Sequence, residues 1–331
     1  MQTIDPFEQQ KKPAHPLIRV TTLGEFTLTR AISAPSGCPR YCLIPYDDIG
    51  SRGTAITMLK LLLCSPRRRM TKTTLIENLW PMRKAINASH ALDTTASVLR
   101  RHILFIPTDT DGEDSLLYTQ RINKETLFLL PPQSWLWVDA DALLNLANTA
   151  VRQEKKGNTP LPYLEAAHAL DKGEFLEDEQ QFPWTQSRRQ TIDGARRRVL
   201  YHLVDLYVQD QRIREAEEML FAFLQVSPED EDALCRLLIL LAGQGRRQEA
   251  LNICQYSTSI IRGSKRELTP YTQDLGKRIQ QGSVIHDISR ELEHYTQDRV
   301  KRVHQNLIIR EQPSGYRTID NRITPIIVLV A

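Results

Sequence analysis

Apolar residues recur at steps of three and four over most of the chain, the spacing that lines one face of a helix, and alternate strictly only in a few short runs. The stretch 87–103, NASHALDTTASVLRRHI, carries the organising pattern. Ala88, Leu92, Thr95, Leu99 and Ile103 share one face, while His90, Asp93, Thr94, Ser97 and Arg101 share the other, with Arg100 at the edge. Two helices are predicted ahead of it, over 54–64 and 71–80. Ser65-Pro66 ends the first and Pro81 the second, which Thr73 or Thr74 is placed to cap in a box closed by Glu77. Three short helices with short polar groups on the third are what a helix-turn-helix requires: two scaffold helices and one presented to the major groove. Taken alone, 87–103 also reads as an ordinary amphipathic surface helix.

Alternation over 17–30 suits two short strands broken at Gly24, and a third strand is predicted near 41–44 within a Pro-, Gly- and Ser-rich loop. After the third helix an acidic, turn-rich loop at 107–115 leads to a hairpin, LLYTQRI and TLFLL around Asn123-Lys124-Glu125. Arg121 and Lys124 stand near its tip, where a wing reaches the DNA backbone or minor groove; a merely solvated tip fits as well. The segment from Trp135 reads as entering a new helix with Asp139 or Asp141 as its cap, Trp135 and Trp137 being packing residues. KKGNTPLP at 155–162 reads as a surface linker.

Beyond Tyr163 the pattern is helical almost throughout, and it repeats. RIREAEEML at 212–220 aligns with RRQEALNIC at 246–254, and Ala216 and Ala250 stand 34 residues apart. Leu203, Leu206 and Tyr207 map by the same offset onto Leu237, Leu240 and Leu241. This is the tetratricopeptide period, in which small alanines let paired helices approach and each pair buries its apolar face on the next. An amphipathic helix within 283–307 is placed to cap that stack or pair with a partner, and the terminal IIVLVA reads as a short strand.

Charge divides the chain. Residues 52–104 hold ten cations against two anions, Glu77 and Asp93, a local +8 where the whole chain is +3, so a polyanion is the expected partner there. Residues 160–282 carry 19 anions and 16 cations, which implies no DNA partner for that part. Its basic clusters, Arg188-Arg189 and Arg196–Arg198, read as solvated helix faces or as partners of the acidic EDE turn at 177–179.

The five cysteines form no paired CxxC units. Cys64, Cys235 and Cys254 lie in apolar helical patterns as small hydrophobes, and Cys38 with Cys42 lacks the companions a metal site needs. No phosphate-cradling GxxxxGK[ST], HExxH or GxSxG run occurs. The sequence therefore predicts no enzyme, no cofactor and no metal. A start without a signal peptide and a longest apolar run, 326–331, too short to span a bilayer predict a cytoplasmic protein with no membrane partner.

LLLCSPRRRMTKTTLIENLWP followed by ALDTTASVLRRHI resembles the winged-helix DNA-binding domain of the OmpR-like class, in the form found in antibiotic-regulatory-type bacterial activators. The L-G-x-F element at Leu23–Phe26 resembles the small sheet that precedes its helices, and W-x-W-V-D-x-D at Trp135–Asp141 the junction that follows. The segment from Leu164, with G-E-F-L at Gly173–Leu176 and Trp184 before a basic helix, resembles the opening of the bacterial transcriptional activation domain. The resemblance implies a mainly α fold with a small β component, a winged helix-turn-helix domain followed by a tetratricopeptide-like α-helical domain. Its boundaries would be a flexible leader at 1–16, the winged helix at 17–138, the activation domain at 139–282 and a C-terminal helix and tail at 283–331. Two features depart from the family: a longer segment at 31–50, and a wing without the glycine usual before its second aromatic, Phe128.

It further implies a sequence-specific transcriptional activator. His90, Thr94 and Ser97, with Asp93 beside them, would probe base edges. Arg100, Arg101, Lys72 and the turn Arg67, Arg68, Arg69 would hold phosphates, and Arg121 and Lys124 would support from the wing. The partners implied are double-stranded promoter DNA, RNA polymerase or another regulator on the helical domain, and a second copy of the chain as a homodimer. The competing reading is a protein-interaction adaptor whose winged helix no longer binds DNA.

Overall fold

The computed structural model describes residues 12–32, 39–44, 53–82, 85–106, 115–263, 267–283 and 285–311. The first eleven leader residues, Cys38, Arg52, Arg83, Lys84, the loop 107–114 and the terminal IIVLVA lie outside them. Contacts divide the chain into two compact units, Met1–Leu206 and Tyr207–Ala331.

The first unit opens with β1 (Ile18–Thr21) and β2 (Thr27–Ile32), antiparallel in the register Ile18 to Arg30, and β3 (Arg40–Leu43) extends the sheet beyond β2. The break between the first two strands is Gly24, whose φ of +83° is left-handed. Then come α1 (Gly53–Cys64), a tight turn at Pro66–Arg68, the short β4 (Arg69–Thr71), α2 (Lys72–Leu79) and α3 (Ala85–Val98). A π-helical turn, Leu99–Ile103, prolongs α3. The hairpin β5 (Tyr118–Ile122) and β6 (Glu125–Leu129) joins β4 in a three-stranded sheet of order β4-β6-β5. Lys72 starts α2 because Thr71, not Thr73 or Thr74, is its cap: the Thr71 hydroxyl accepts from the Thr74 amide.

Trp135 does not enter a helix directly. Leu136–Val138 form β7, which pairs parallel to β1 and closes the first sheet in the order β3-β2-β1-β7. Only then does α4 (Asp139–Glu154) begin, its cap position held by Val138. Both carboxylates expected to cap it reach elsewhere. Asp139 accepts from the amides of Thr22 and Leu23 at 2.8–3.0 Å and from the Thr22 hydroxyl at 2.6 Å, so it holds the end of β1. Burial pushes its carboxyl above the usual range, against the pull of those donors. Asp141 accepts from Arg68 and Arg188.

The segment 155–160 is exposed apart from Pro160 and makes the turn of a helical hairpin, since α4 packs closely on α5 (Leu161–Leu170). The G-E-F-L motif then lies against the L-G-x-F motif. The Gly24 amide donates to the Glu174 carbonyl at 2.9 Å, the Leu176 amide donates to Thr22 at 2.8 Å, and Leu23 bridges Phe175. Backbone meets backbone here because both partners are glycine: a Cβ on Gly173 would lie 2.8 Å from the Gly24 Cα. The acidic turn at Glu177–Glu179 follows. Its Glu179 pairs with Lys60 of α1 at 2.7 Å rather than with an arginine, and the Lys60 ammonium sits 4.7 Å above the Phe26 ring. The long α6 (Pro183–Gln209) contributes Arg188 to Asp141, Arg189 to Glu174 and Arg196 to Asp171 and Glu174. Of its two basic clusters only Arg197 and Arg198 have exposed side chains.

The second unit stacks α7 (Ile213–Val226), α8 (Glu231–Gly243), α9 (Arg247–Gly263) and α10 (Pro270–Gln280), each packed on the next, and α11 (Ile288–Glu311) returns to α8. The repeat alanines Ala216 and Ala250 are fully buried in α7 and α9, and α8 between them buries every residue from Ala233 to Leu241. Of the expected apolar set, Leu237, Leu240 and Leu241 belong to that core. Tyr295 of α11 closes over α8, its hydroxyl donating to Asp232 and its ring 5.3 Å from the buried Arg236 guanidinium.

Gly173→Ala is expected to lower unfolding free energy by about 1–3 kcal/mol, because the new methyl group meets backbone that has no rotamer to yield. Thermal denaturation followed by circular dichroism checks this, with Gly194→Ala, which has no left-handed φ and whose added methyl group meets no neighbour, as the control that should not lower stability.

Candidate nucleic-acid interface

α3 turns the predicted faces the predicted way. Ala88, Leu92, Leu99 and Ile103 are fully buried and Thr95 nearly so, packed towards α1 and α2. His90, Asp93, Thr94 and Arg101 are exposed, and Ser97 is half-buried. Apart from Arg101 these side chains are short and carry donors, acceptors and a methyl group, so a base edge can approach without displacing a long aliphatic stem. The Thr94 hydroxyl donates to the His90 carbonyl at 3.0 Å, which leaves Thr94 an acceptor and a methyl group for a ligand.

The cations divide by anchoring. Lys72, at the start of α2, reaches Asp93 on α3 at 2.8 Å, with the Asp93 side chain 58% exposed. An ion pair this open is worth at most about 1 kcal/mol, so a phosphate can compete for the lysine. Arg100 falls within the π turn, where its Nε donates to the Leu117 carbonyl at 3.1 Å and ties the end of α3 to the base of the wing. Partial burial lowers its pKa against the raising effect of Asp93. Arg101, one residue on, points outward and is exposed.

The basic turn is not a uniform patch, and Arg68 leaves the phosphate-contacting set. Its side chain is 10% exposed and all its nitrogens are engaged: Nε donates to Asp141 at 2.9 Å, Nη1 to the carbonyls of Pro131 and Leu136, and Nη2 to Gln133 and Asp141. Burial brings its pKa down to about 10, which leaves it charged at neutral pH. A run of three arginines carries no sign of which one turns inward. The turn is closed by the Arg68 amide donating to the Ser65 carbonyl at 3.0 Å, with Pro66 second and Arg67 third in the turn. Arg67 and Arg68 both have positive φ, 56° and 54°, a conformation that directs Arg67 out to solvent as Arg68 goes in. Arg69 is half-buried in β4, paired with Leu129 of β6.

The wing closes without glycine. Asn123 and Lys124 form a two-residue turn with φ of 49° and 68°, the left-handed pair that a twisted hairpin needs. Lys124 and Arg121 are exposed at and beside the tip. Lys124 sits at a turn position whose left-handed φ favours glycine in two-residue hairpins generally, at a conformational cost of about 1 kcal/mol.

No group of three histidine, cysteine or acidic side chains among the described residues is placed to hold a metal ion. Burial raises the thiols of Cys64 and Cys235 to about 12, so both are protonated. Among the described residues no helix is long and apolar enough to cross a membrane.

Residues 138–280 match the family model of the bacterial transcriptional activator domain. The fold is similar to that of Mycobacterium tuberculosis EmbR in complex with a low affinity phosphopeptide, with a TM-score of 0.60 and 16% identity over 87% of this chain and 71% of that one. No curated protein sequence matches the chain. The architecture is thus a winged helix followed by a bacterial transcriptional activator domain, mostly helical with a small β component.

Two side-by-side substitutions separate anchored from displayed cations. Arg68→Ala is expected to cost about 3–5 kcal/mol of stability, because it leaves Asp141 buried with half its partners. Arg67→Ala should change stability by less than about 0.5 kcal/mol. In the wing, Lys124→Gly should raise stability by about 1 kcal/mol by relieving the left-handed lysine. Urea unfolding of the three variants reads all of these differences.

Proposed function

We propose that this chain, a winged helix joined to a bacterial transcriptional activator domain, is a sequence-specific DNA-binding transcriptional activator of the cytoplasm. The observation that carries the reading is the outward polar face of α3, His90, Asp93, Thr94 and Ser97, set between Lys72 and Arg101. Inserted in a major groove, that face offers His90 and Ser97 to base edges, the Thr94 methyl to a thymine and the Asp93 carboxylate to a cytosine amino group. Arg67, Arg69, Lys72 and Arg101 supply phosphate contacts and Arg100 fixes the end of the helix, while Arg121 and Lys124 reach the backbone or minor groove from the wing. Arg68 takes no part in contacting DNA. The helical repeats, with their net negative charge and tight α7–α10 stack, serve protein contacts, with RNA polymerase, another regulator or a second copy as partners.

The competing adaptor reading, in which the winged helix no longer binds DNA, draws on the longer segment at 31–50 and on the wing without its usual glycine. Asn123 and Lys124 close the wing turn with a left-handed pair all the same, which favours the DNA-binding reading, while residues 33–38 and 45–50 of the longer segment lie outside the described residues. Nothing in this reading calls for catalysis or a cofactor.

Selection of bound fragments from genomic DNA provides the duplex for a test. Arg101→Ala should weaken its binding at every sequence alike and reduce the slope of log affinity against log salt by about 0.9. Thr94→Ala should relax preference at one base pair, at a cost of about 1–3 kcal/mol for the preferred sequence and an unchanged salt slope. Fluorescence anisotropy across a salt series reads both. Failure to select any fragment, or a duplex affinity indifferent to Arg101→Ala, would count against the reading.

A further inference from the structure

α3 carries a single anion, and it lies on the face that the helix turns outward. Asp93 stands one turn from His90 on one side and from Ser97 on the other, and both its carboxylate oxygens accept from the Lys72 ammonium of α2, at 2.8 and 3.0 Å. The pair is open to solvent, with 26% of the lysine side chain and 58% of the aspartate side chain exposed. Lys72 therefore leaves it at little cost. What stays behind matters more. A bare carboxylate brought against a duplex meets phosphates and the acceptor edges of guanine and thymine, and like charges set together at an interface repel strongly. Adenine places its amino group beside the N7 acceptor, so cytosine, with its N4 amino group, is the base whose major-groove edge suits a carboxylate. The ion pair thus ties a cation of α2 to the base that α3 reads.

We propose that Asp93 determines specificity by withholding Lys72 from phosphates until its own carboxylate meets a cytosine amino group. The mechanism rests on the DNA-binding reading and adds a means of discrimination to it. On a random sequence the pair stays closed, adds no net charge to the interface and releases no counterion. On the correct site the carboxylate turns to the cytosine and Lys72 takes a phosphate, so one base contact and one backbone contact form together. Discrimination then comes from a penalty on wrong sequences as much as from a contact on the right one.

Fluorescence anisotropy of the full chain with a selected duplex and with a random-sequence duplex, each over a salt series, tests this. Asp93→Ala should bind the random duplex about fivefold tighter and the selected duplex no tighter, so the ratio of the two affinities falls by at least that factor. Its slope of log affinity against log salt on the random duplex should steepen by about 0.9, the signature of one freed cation. Lys72→Met combined with Asp93→Ala should return that slope to the parent's. Asp93→Asn keeps the side chain's shape without its charge and should repeat the gain on the random duplex; it decides the matter if circular dichroism shows Asp93→Ala unfolded. A parent chain that binds no duplex would remove the DNA-binding reading and this mechanism with it. Selective binding by the parent without a gain on the random duplex in a folded Asp93 variant, or a slope that steepens equally without Lys72, would overturn the mechanism alone. A pair that merely braces α2 on α3 would give the first of those two results.

Discussion

Two carboxylates in the first turn of α4 hold the front of the molecule together. Asp139 gathers the amides and hydroxyl at the end of β1, and two residues on Asp141 receives Arg68 and Arg188. Their place at a helix N-terminus favours negative charge, and both are enclosed enough for their hydrogen bonds to be costly to lose. One thereby fixes the amino-terminal sheet and the other the basic turn of the helix-turn-helix. The glycine contact between Gly24 and Gly173 and the Lys60–Glu179 pair lie along the same seam. The matched activator domain, which starts at Val138, therefore supplies the anchors of the winged helix in front of it.

That arrangement explains why the basic residues of the first unit differ in role despite their closeness in sequence. Lys60, Arg68, Arg188 and Arg196 are drawn inward by named carboxylates, and the strongly positive count over 52–104 overstates the charge the surface displays. Arg67, Arg101, Arg121 and Lys124 remain outside. The π turn at the end of α3 performs a similar sorting: it keeps both Leu99 and Ile103 buried while Arg100 reaches the wing and Arg101 faces solvent.

Much of this was legible in the sequence. The two faces of α3, the helices before it, the two strands around Gly24, the hairpin and the alanine repeat all follow from periodicity and turn chemistry, which are local. What escaped is non-local. Leu136–Val138 is three residues long and becomes a strand because β1 has a free edge beside it, a fact no local pattern records. Asp139 and Asp141 look like caps, yet their partners stand 117 and 73 positions away. Arg68 among three arginines is distinguished only by a turn that inverts its neighbour's direction. The G-E-F-L and L-G-x-F motifs were each visible, but their contact was not, although a glycine in each was the available hint.

The proposed DNA binding depends on α3 offering its polar face to the major groove, and dimethyl sulfate interference on a selected duplex tests this most directly. Methylation of guanine N7, in the major groove, at the centre of the site should abolish binding, while methylation of adenine N3, in the minor groove, should matter only at the flank the wing reaches. Interference confined to adenine N3, or none at any guanine of a guanine-containing site, would contradict it.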